Sequence, residues 1–497
     1  MSETNKMNKN DNAGRLIQKI FKEKWDERFL FDGLHSKELS YKEFFILVVN
    51  YKEKLVKAGL KKQDIVCILL QNSMELIILY FASLLMNLRV VPIDPERGVS
   101  DINEILSQLD YKAVIVNELN FDFLQNKIHI NEFINIQPED IEKKDLILFD
   151  DVDFDSTYLI VFTSGSTGVP KGVMHSFNNL IQSAVSFNDK FAFTSQNIFY
   201  HNLPMTYMAG ILNLLILPFI SGSKIVLGKR FNVSNISEFW NIPIQYSANT
   251  FWFIPTIIEL LLKLDRDSVG SQYAKTRKIT GCVGTAPLIP TSKIEFEQKY
   301  SISLYESYGL SETLFVTTNS PNSEKSGTVG KAIVGSEIKF IEDDEIMIKV
   351  PWMFLGYHNM KTDQLLKNGW FSSGDIGIIS NDGFYTITGR KKDLIIRGGI
   401  NISPKKIEDY IKTRHSTEVA VLGFPDKFID EKIICFFLPS SEFDQKLINK
   451  EILHELGRNY HIDEFVEIPE IPKNLNGKVD KPKIREVYGL KINATRH

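Results

Sequence analysis

Residues 163–172 read TSGSTGVPKG, with three glycines, four hydroxyls, one proline and a single lysine in ten positions. Bare backbone N–H groups, short hydroxyl donors and one positive charge make a cradle for phosphate. A Walker-type loop needs G-x-x-x-x-G-K-[ST]. Begun at Gly165, that template puts Pro170 on its second glycine and Gly172 on the hydroxyl that would hold magnesium, with only Lys171 in register. The composition therefore argues for phosphate, while the spacing argues against a P-loop NTPase. A plain flexible surface loop is the bland alternative for these residues taken alone.

The elements around the loop suit a phosphate site. YLIVF (158–162) reads as a strand running into it, and a helix-capable stretch starts near Phe177, so the pattern predicts strand, glycine-rich loop, helix. Upstream, VCILL (66–70) and VVPIDP (90–95) read as strands flanking an apolar helix over 74–88, the alternation of a parallel α/β layer. Beyond Gly327, IKFI (338–341), EIMIKV (345–350) and GFYTITG (383–389) read as antiparallel strands, the last after an Asp-Gly turn. Ser403 is placed to cap a helix with Pro404 at its first position and Ile407, Tyr410 and Ile411 on one face. FWF (251–253) before Pro255 reads as a core strand. The expected fold class is α/β: a large multi-layer N-terminal α/β domain (1–391) with a small β-rich subdomain, then a small mobile α+β C-terminal domain (392–497).

Five further blocks follow the loop in order: GTAPL (284–288), YGLSET (308–313), GWFSSGDIG (369–377), GRKKDLIIRGGINISP (389–404) and NGKVDK (476–481). Together with the loop they resemble the signature blocks of the adenylate-forming superfamily of acyl-CoA synthetases, luciferases and peptide-synthetase adenylation domains. The resemblance runs from about 60 to 485 and is most like a stand-alone acyl-CoA synthetase. It implies that a carboxylate attacks the α-phosphorus of ATP, giving an acyl-adenylate and pyrophosphate, and that a thiol then takes the acyl group.

By the same resemblance, Thr163, Ser164, Gly165, Ser166, Thr167, Gly168 and Lys171 would hold the β- and γ-phosphates, and Gly284, Thr285 and Ala286 would contact adenine. Tyr308 would lie against the adenine face, with Gly309 and Ser311 beside it, Ser311 standing where Thr is usual. Glu312 would ligate Mg2+, a hard oxygen donor for a hard cation already chelated by phosphate. Asp375, an acceptor-only carboxylate, would take both ribose hydroxyls, with Arg390 in support. Lys478 would reach the reacting carboxylate and α-phosphate, a preorganised cation worth roughly 3–4 kcal/mol in the transition state. Lys392 takes the hinge position, and Gly398 and Gly399 would line the route of a pantetheine arm, although Ile400 replaces the acidic residue that often follows them. The acyl group would meet Tyr207, Ala209, Ser307 and Gly309. Tyr207 stands where His is usual, and PMTYMAG (204–210) lacks the carboxylate that amino-acid-activating members use for an α-ammonium, which points to a simple fatty or aromatic acid.

Composition sets the remaining bounds. Hydrophobic residues at 43%, charged residues at 24% and a net charge of −4 describe a globular chain with no electrostatic footprint for nucleic acid. The polar N-terminus carries no signal-peptide pattern, and no apolar run approaches the roughly 20 residues of a membrane span, so the expectation is cytoplasmic. Three scattered cysteines make no metal-ligand spacing. The expected cofactors are ATP, Mg2+ and coenzyme A or phosphopantetheine, with Arg397 and Lys473 as candidate partners for the CoA phosphates. Two competing readings stand beside CoA ligation: loading of an acyl carrier protein's phosphopantetheine, and nucleotide binding without turnover.

Overall fold

The computed structural model describes residues 13–117, 124–134, 141–163, 170–266, 268–360, 366–397, 400–426, 428–439, 443–473 and 479–494. Strands that carry the site are β1 (Thr157–Thr163), β2 (Lys171–Ser176), β3 (Thr280–Val283), β4 (Ser303–Leu310), β5 (Leu314–Thr318), β6 (Gly356–Tyr357), β7 (Trp370–Ile379) and β8 (Tyr385–Arg390).

Two sheets build the large α/β domain. One holds seven strands in the order β6, β2, β1, Arg89–Pro92, Ile65–Leu69, Tyr111–Val116, Lys127–His129. Its central strands, such as Ile65–Leu69, are apolar on both faces. Val66 and Ile68 join the main core, while Cys67 and Leu69 pack with Ile102, Ile105 and Leu106 on the other side. That two-sided burial is why these strands read as continuous apolar runs. The helix Met74–Leu85 is apolar all round, and its residues are buried on every side. The second sheet has nine strands, and β4, β3, Thr250–Phe253, Ile198–His201, Lys224–Leu227 and Arg28–Asp32 run parallel within it. Phe251, Trp252 and Phe253 are fully buried there, the core strand expected of them.

A smaller antiparallel sheet follows, in which Glu337–Phe340, Glu345–Lys349, β7 and β8 pair in turn. The last sheet belongs to the small C-terminal α+β domain. Val419–Asp426 pairs with Asp430–Phe437, whose side chains alternate between a core under the helices Pro404–His415 and Gln445–Glu455 and a core with Ile468, Ile471 and Ile484. Ile407 and Ile411 are buried as the helical pattern predicts. Ser403 occupies the N-cap, yet its hydroxyl donates to Thr388 O (2.8 Å) and accepts no N–H of the helix's first turn. The residue tethers the small domain's first helix to β8. Lys412 on the same helix lies 3.5 Å from Glu259 of the large domain.

Candidate active site

The glycine-rich loop bridges an antiparallel hairpin. Thr163 ends β1, Lys171 begins β2, and the two are register partners. The helix Phe177–Phe191 starts where the sequence places it, but β2 stands between the loop and that helix, a strand the sequence pattern does not mark. Phosphate here would meet loop amides and Lys171 without a helix dipole behind them, unlike a Walker loop. Ser164, Gly165, Ser166, Thr167 and Gly168 lie outside the described residues, as do Gly398, Gly399 and Lys478.

At the carboxyl ends of the parallel strands, Gly284, Thr285 and Ala286 follow β3, and Thr285 takes a left-handed φ of +74°. Ligands of open α/β sheets sit at this edge. Ser307 Oγ donates to Val283 O at 3.0 Å, and a Cβ on Gly284 would come within 3.1 Å of that hydroxyl and 3.3 Å of Trp252 Nε1. Directly after Ser307, Tyr308 and Gly309 straddle a bulge where β4 pairs with β5. A Cβ on Gly309 would stand 1.8 Å from Leu314 O, so only glycine closes this hairpin.

Tyr308 reaches across to the smaller sheet. Its hydroxyl donates to Asp375 Oδ2 at 2.7 Å, and Arg390 Nε lies 2.7 Å from Asp375 Oδ1. β7 and β8 put Asp375 and Arg390 directly opposite each other. Asp375 is 2% exposed, and burial together with this carboxylate pushes the Tyr308 phenol well up. The phenol stays a donor to Asp375.

Glu312, in the turn between β4 and β5, accepts from Tyr357 Oη at 2.6 Å. Lys171 Nζ sits 5.4 Å from the centre of the same Tyr357 ring. Ser311 is held from beneath: His175 Nε2 lies 2.6 Å from Ser311 O. A carbonyl only accepts, so Nε2 carries the proton. Burial lowers this imidazole to about 4, and its Nδ1 has no hydrogen-bond partner among the described residues. Among the described residues no cluster of three or more His, Cys, Asp or Glu is arranged to hold a metal. One partly buried carboxylate beside a phosphate loop nevertheless fits Mg2+, which keeps waters and takes one or two carboxylates plus phosphate oxygens.

Of the expected acyl-group residues, Tyr207 lies within electrostatic reach of Arg390. Burial raises the Tyr207 phenol, and the neighbouring Arg390 charge opposes that shift. Ala209 opens the π-helical segment Ala209–Ile216, and Gly210 lies so close to Pro204 O that a Cβ would stand 2.0 Å from it. Lys392 falls in the short 3₁₀ turn Lys391–Asp393 between the two domains. Arg397 is clasped by both oxygens of Asp463 (2.5 and 2.8 Å), and Lys473 pairs with Glu418 at 2.8 Å, so neither cation stands free for a CoA phosphate. Tyr357 and His175 are missing from the sequence reading. Tyr357 sits 45 residues from the glutamate it bonds, and no local spacing marks that contact.

A large α/β domain with a smaller β-rich sheet, followed by a small C-terminal domain, is the architecture of an adenylate-forming enzyme. The chain belongs to the AMP-binding enzyme family, whose profile matches residues 18–358. It is 27% identical over 466 residues to the 2-succinylbenzoate–CoA ligase of Listeria monocytogenes, a match spanning 92% of this chain and 95% of that ligase. The fold is that of ATP-bound MatB from Rhodopseudomonas palustris, with a TM-score of 0.84 at 22% identity over 96% of this chain and 99% of that one. The o-succinylbenzoate CoA synthetase MenE of Bacillus subtilis, solved with the acyl-adenylate OSB-AMP, gives a TM-score of 0.81 at 23% identity, covering 95% and 97% of the two chains.

Proposed function

We propose that this chain is an ATP-dependent carboxylate–CoA ligase for a fatty or aromatic acid. In the first half-reaction a carboxylate oxygen bonds to the α-phosphorus, the α–β bridging P–O bond breaks, and pyrophosphate leaves with the electron pair. In the second, a thiol sulfur bonds to the acyl carbon, AMP leaves, and the thiol proton passes to solvent. The observation that carries the reading is the convergence of Tyr308, Asp375 and Arg390 on one side and Lys171, Tyr357 and Glu312 on the other, both around the turn after β4.

Each group has work suited to its chemistry. Asp375, a carboxylate held by Tyr308 and Arg390, is assigned to the ribose hydroxyls. Tyr308 presents its ring to adenine, and Gly284, Thr285 and Ala286 supply backbone at the base edge. Thr163, the loop residues and Lys171 receive the β- and γ-phosphates. Glu312 would hold Mg2+, which supplies charge neutralisation on the phosphates when bound. Lys478 is assigned to the reacting carboxylate and α-phosphate. Gly309, Ser307, Ala209 and Tyr207 are assigned to the acyl group. We divide the chain at 391/392, with Lys392 as hinge and Gly398 and Gly399 on the thiol route. A cytoplasmic location is supported by three cysteines that are all buried and free.

The test is a panel of aliphatic and aromatic acids with ATP, Mg2+ and hydroxylamine. One acid class is expected to yield hydroxamate, AMP and pyrophosphate in equal amounts. ADP and orthophosphate for every acid would overturn the reading. Adding CoA or a phosphopantetheinyl carrier protein separately identifies the thiol, and thioester on the carrier alone would replace CoA ligation with carrier loading.

A further inference from the structure

The two groups assigned to the phosphate side carry opposite charges, and one aromatic side chain stands between them. Tyr357 donates its hydroxyl to Glu312 Oε1 at 2.6 Å and presents its ring to the Lys171 ammonium at 5.4 Å. The residue is 8% exposed and rigidly mounted. β6 pairs with β2, placing Tyr357 opposite Val173, and His358 N–H donates to Gly172 O at 2.7 Å. On the other flank, Phe354 N–H donates to Glu312 O at 2.9 Å. The backbone around Tyr357 is thus tied both to the strand that begins with Lys171 and to the backbone of Glu312. Gly172 permits the first attachment, because a Cβ there would come 2.9 Å from Ile160 Cγ2 and 3.2 Å from His358 Cβ.

Without a spacer, an ammonium and a carboxylate converging on one cleft would pair with each other, and both would be withdrawn from the nucleotide. A ring face attracts the ammonium without neutralising it and releases it readily to a phosphate. A hydroxyl that occupies one carboxylate oxygen fixes the plane of the group and leaves the second oxygen for a cation. Among the described residues no hydrogen bond reaches Glu312 Oε2. Hydrogen bonds to metal-ligating carboxylates raise metal affinity in this way.

We propose that Tyr357 is a positioning residue of the nucleotide site: its hydroxyl orients Glu312 toward the Mg2+ that accompanies ATP, and its ring keeps Lys171 apart from Glu312. The proposal rests on the ligase reading above. The test is calorimetric titration of the full chain with α,β-methylene-ATP, with and without Mg2+, using Tyr357→Phe, Tyr357→Leu, Glu312→Gln and the Tyr357→Phe/Glu312→Gln pair. Wild-type protein is expected to bind the analogue more tightly with Mg2+. Tyr357→Phe is expected to cut that gain about ten-fold while leaving magnesium-free binding within two-fold. Tyr357→Leu is expected to weaken magnesium-free binding as well, because Lys171 then pairs with Glu312. In the Glu312→Gln background, Tyr357→Phe should change nothing further. Equal loss with and without Mg2+, an unchanged gain in Tyr357→Phe, or additive effects in the pair would overturn the proposal. If Tyr357→Phe fails to fold, a Mg2+ gain in Tyr357→Leu equal to wild type overturns it, and a reduced gain supports it. Wild-type protein that does not bind the analogue at all refutes the ligase reading, and this proposal with it.

Discussion

Replacing Asp375 by asparagine tests the ribose site with little change in shape. The carboxylate is 2% exposed and holds two donors, Tyr308 Oη and Arg390 Nε, each at 2.7 Å. Asparagine keeps an oxygen for one of them but turns an N–H toward the other, and it loses the charge. The folding cost is modest, about 1 kcal/mol, because the Arg390 side chain is 44% exposed and water can solvate what the carboxylate releases. The nucleotide cost is larger. Hydrogen bonds to a charged acceptor contribute about 1.5–3 kcal/mol each, and weakening both ribose contacts together should cost about 2–3.5 kcal/mol, roughly 30- to 300-fold in Kd. Calorimetry with AMP and with 2′,3′-dideoxy-AMP gives the decisive comparison. Wild-type protein should strongly prefer the ribonucleotide, and Asp375→Asn should bind both almost equally. A variant that discriminates between them as well as wild type does would refute the assignment, whatever its activity.

Lys478→Ala should reduce acyl-adenylate formation about 10²–10³-fold while sparing thioester formation from a supplied acyl-adenylate, measured by pyrophosphate release and by product thioester. Equal loss in both half-reactions would reject that role. Gly309→Ala would drive a methyl to 1.8 Å from Leu314 O, a backbone atom that cannot swing away, so the hairpin must open. A loss of about 3 kcal/mol or more is expected, visible as a several-degree fall in Tm, and a wild-type Tm would contradict the tight closure. His175 and His201 are both fully buried, and burial lowers each imidazole to about 4. Such a base protonates more readily unfolded, where its pKa is about 6.5. Its contribution is therefore complete above about pH 6.5 and lost as the pH falls toward 4. Thermal unfolding across that window should show Tm falling with pH, and His201→Gln should flatten the fall; a flat wild-type profile would refute the buried neutral state.

The sequence by itself determined the class of protein and supplied the residues we assign to its nucleotide chemistry. Gripping a phosphate, a ribose or a metal ion demands particular residue types at short fixed spacings, and TSGSTGVPKG, YGLSET and GWFSSGDIG carry them locally. Strands buried on both faces, such as Ile65–Leu69, were equally plain, because an apolar run needs no partner to be recognised. The tertiary structure decided what depends on pairing between distant segments. Register across β7 and β8 sets Asp375 against Arg390, and a crossing of 67 residues brings Tyr308 onto the same carboxylate. The antiparallel pairing of β1 with β2 added a strand ahead of the expected helix, and the mate that β2 then found, β6, set Tyr357 against both Lys171 and Glu312. Ser403 spent its hydroxyl on β8 for the same reason. A hydrogen bond or a ring contact between remote residues is fixed by where backbones are paired, and pairing is a property of the whole packed chain, which local residue spacing does not record.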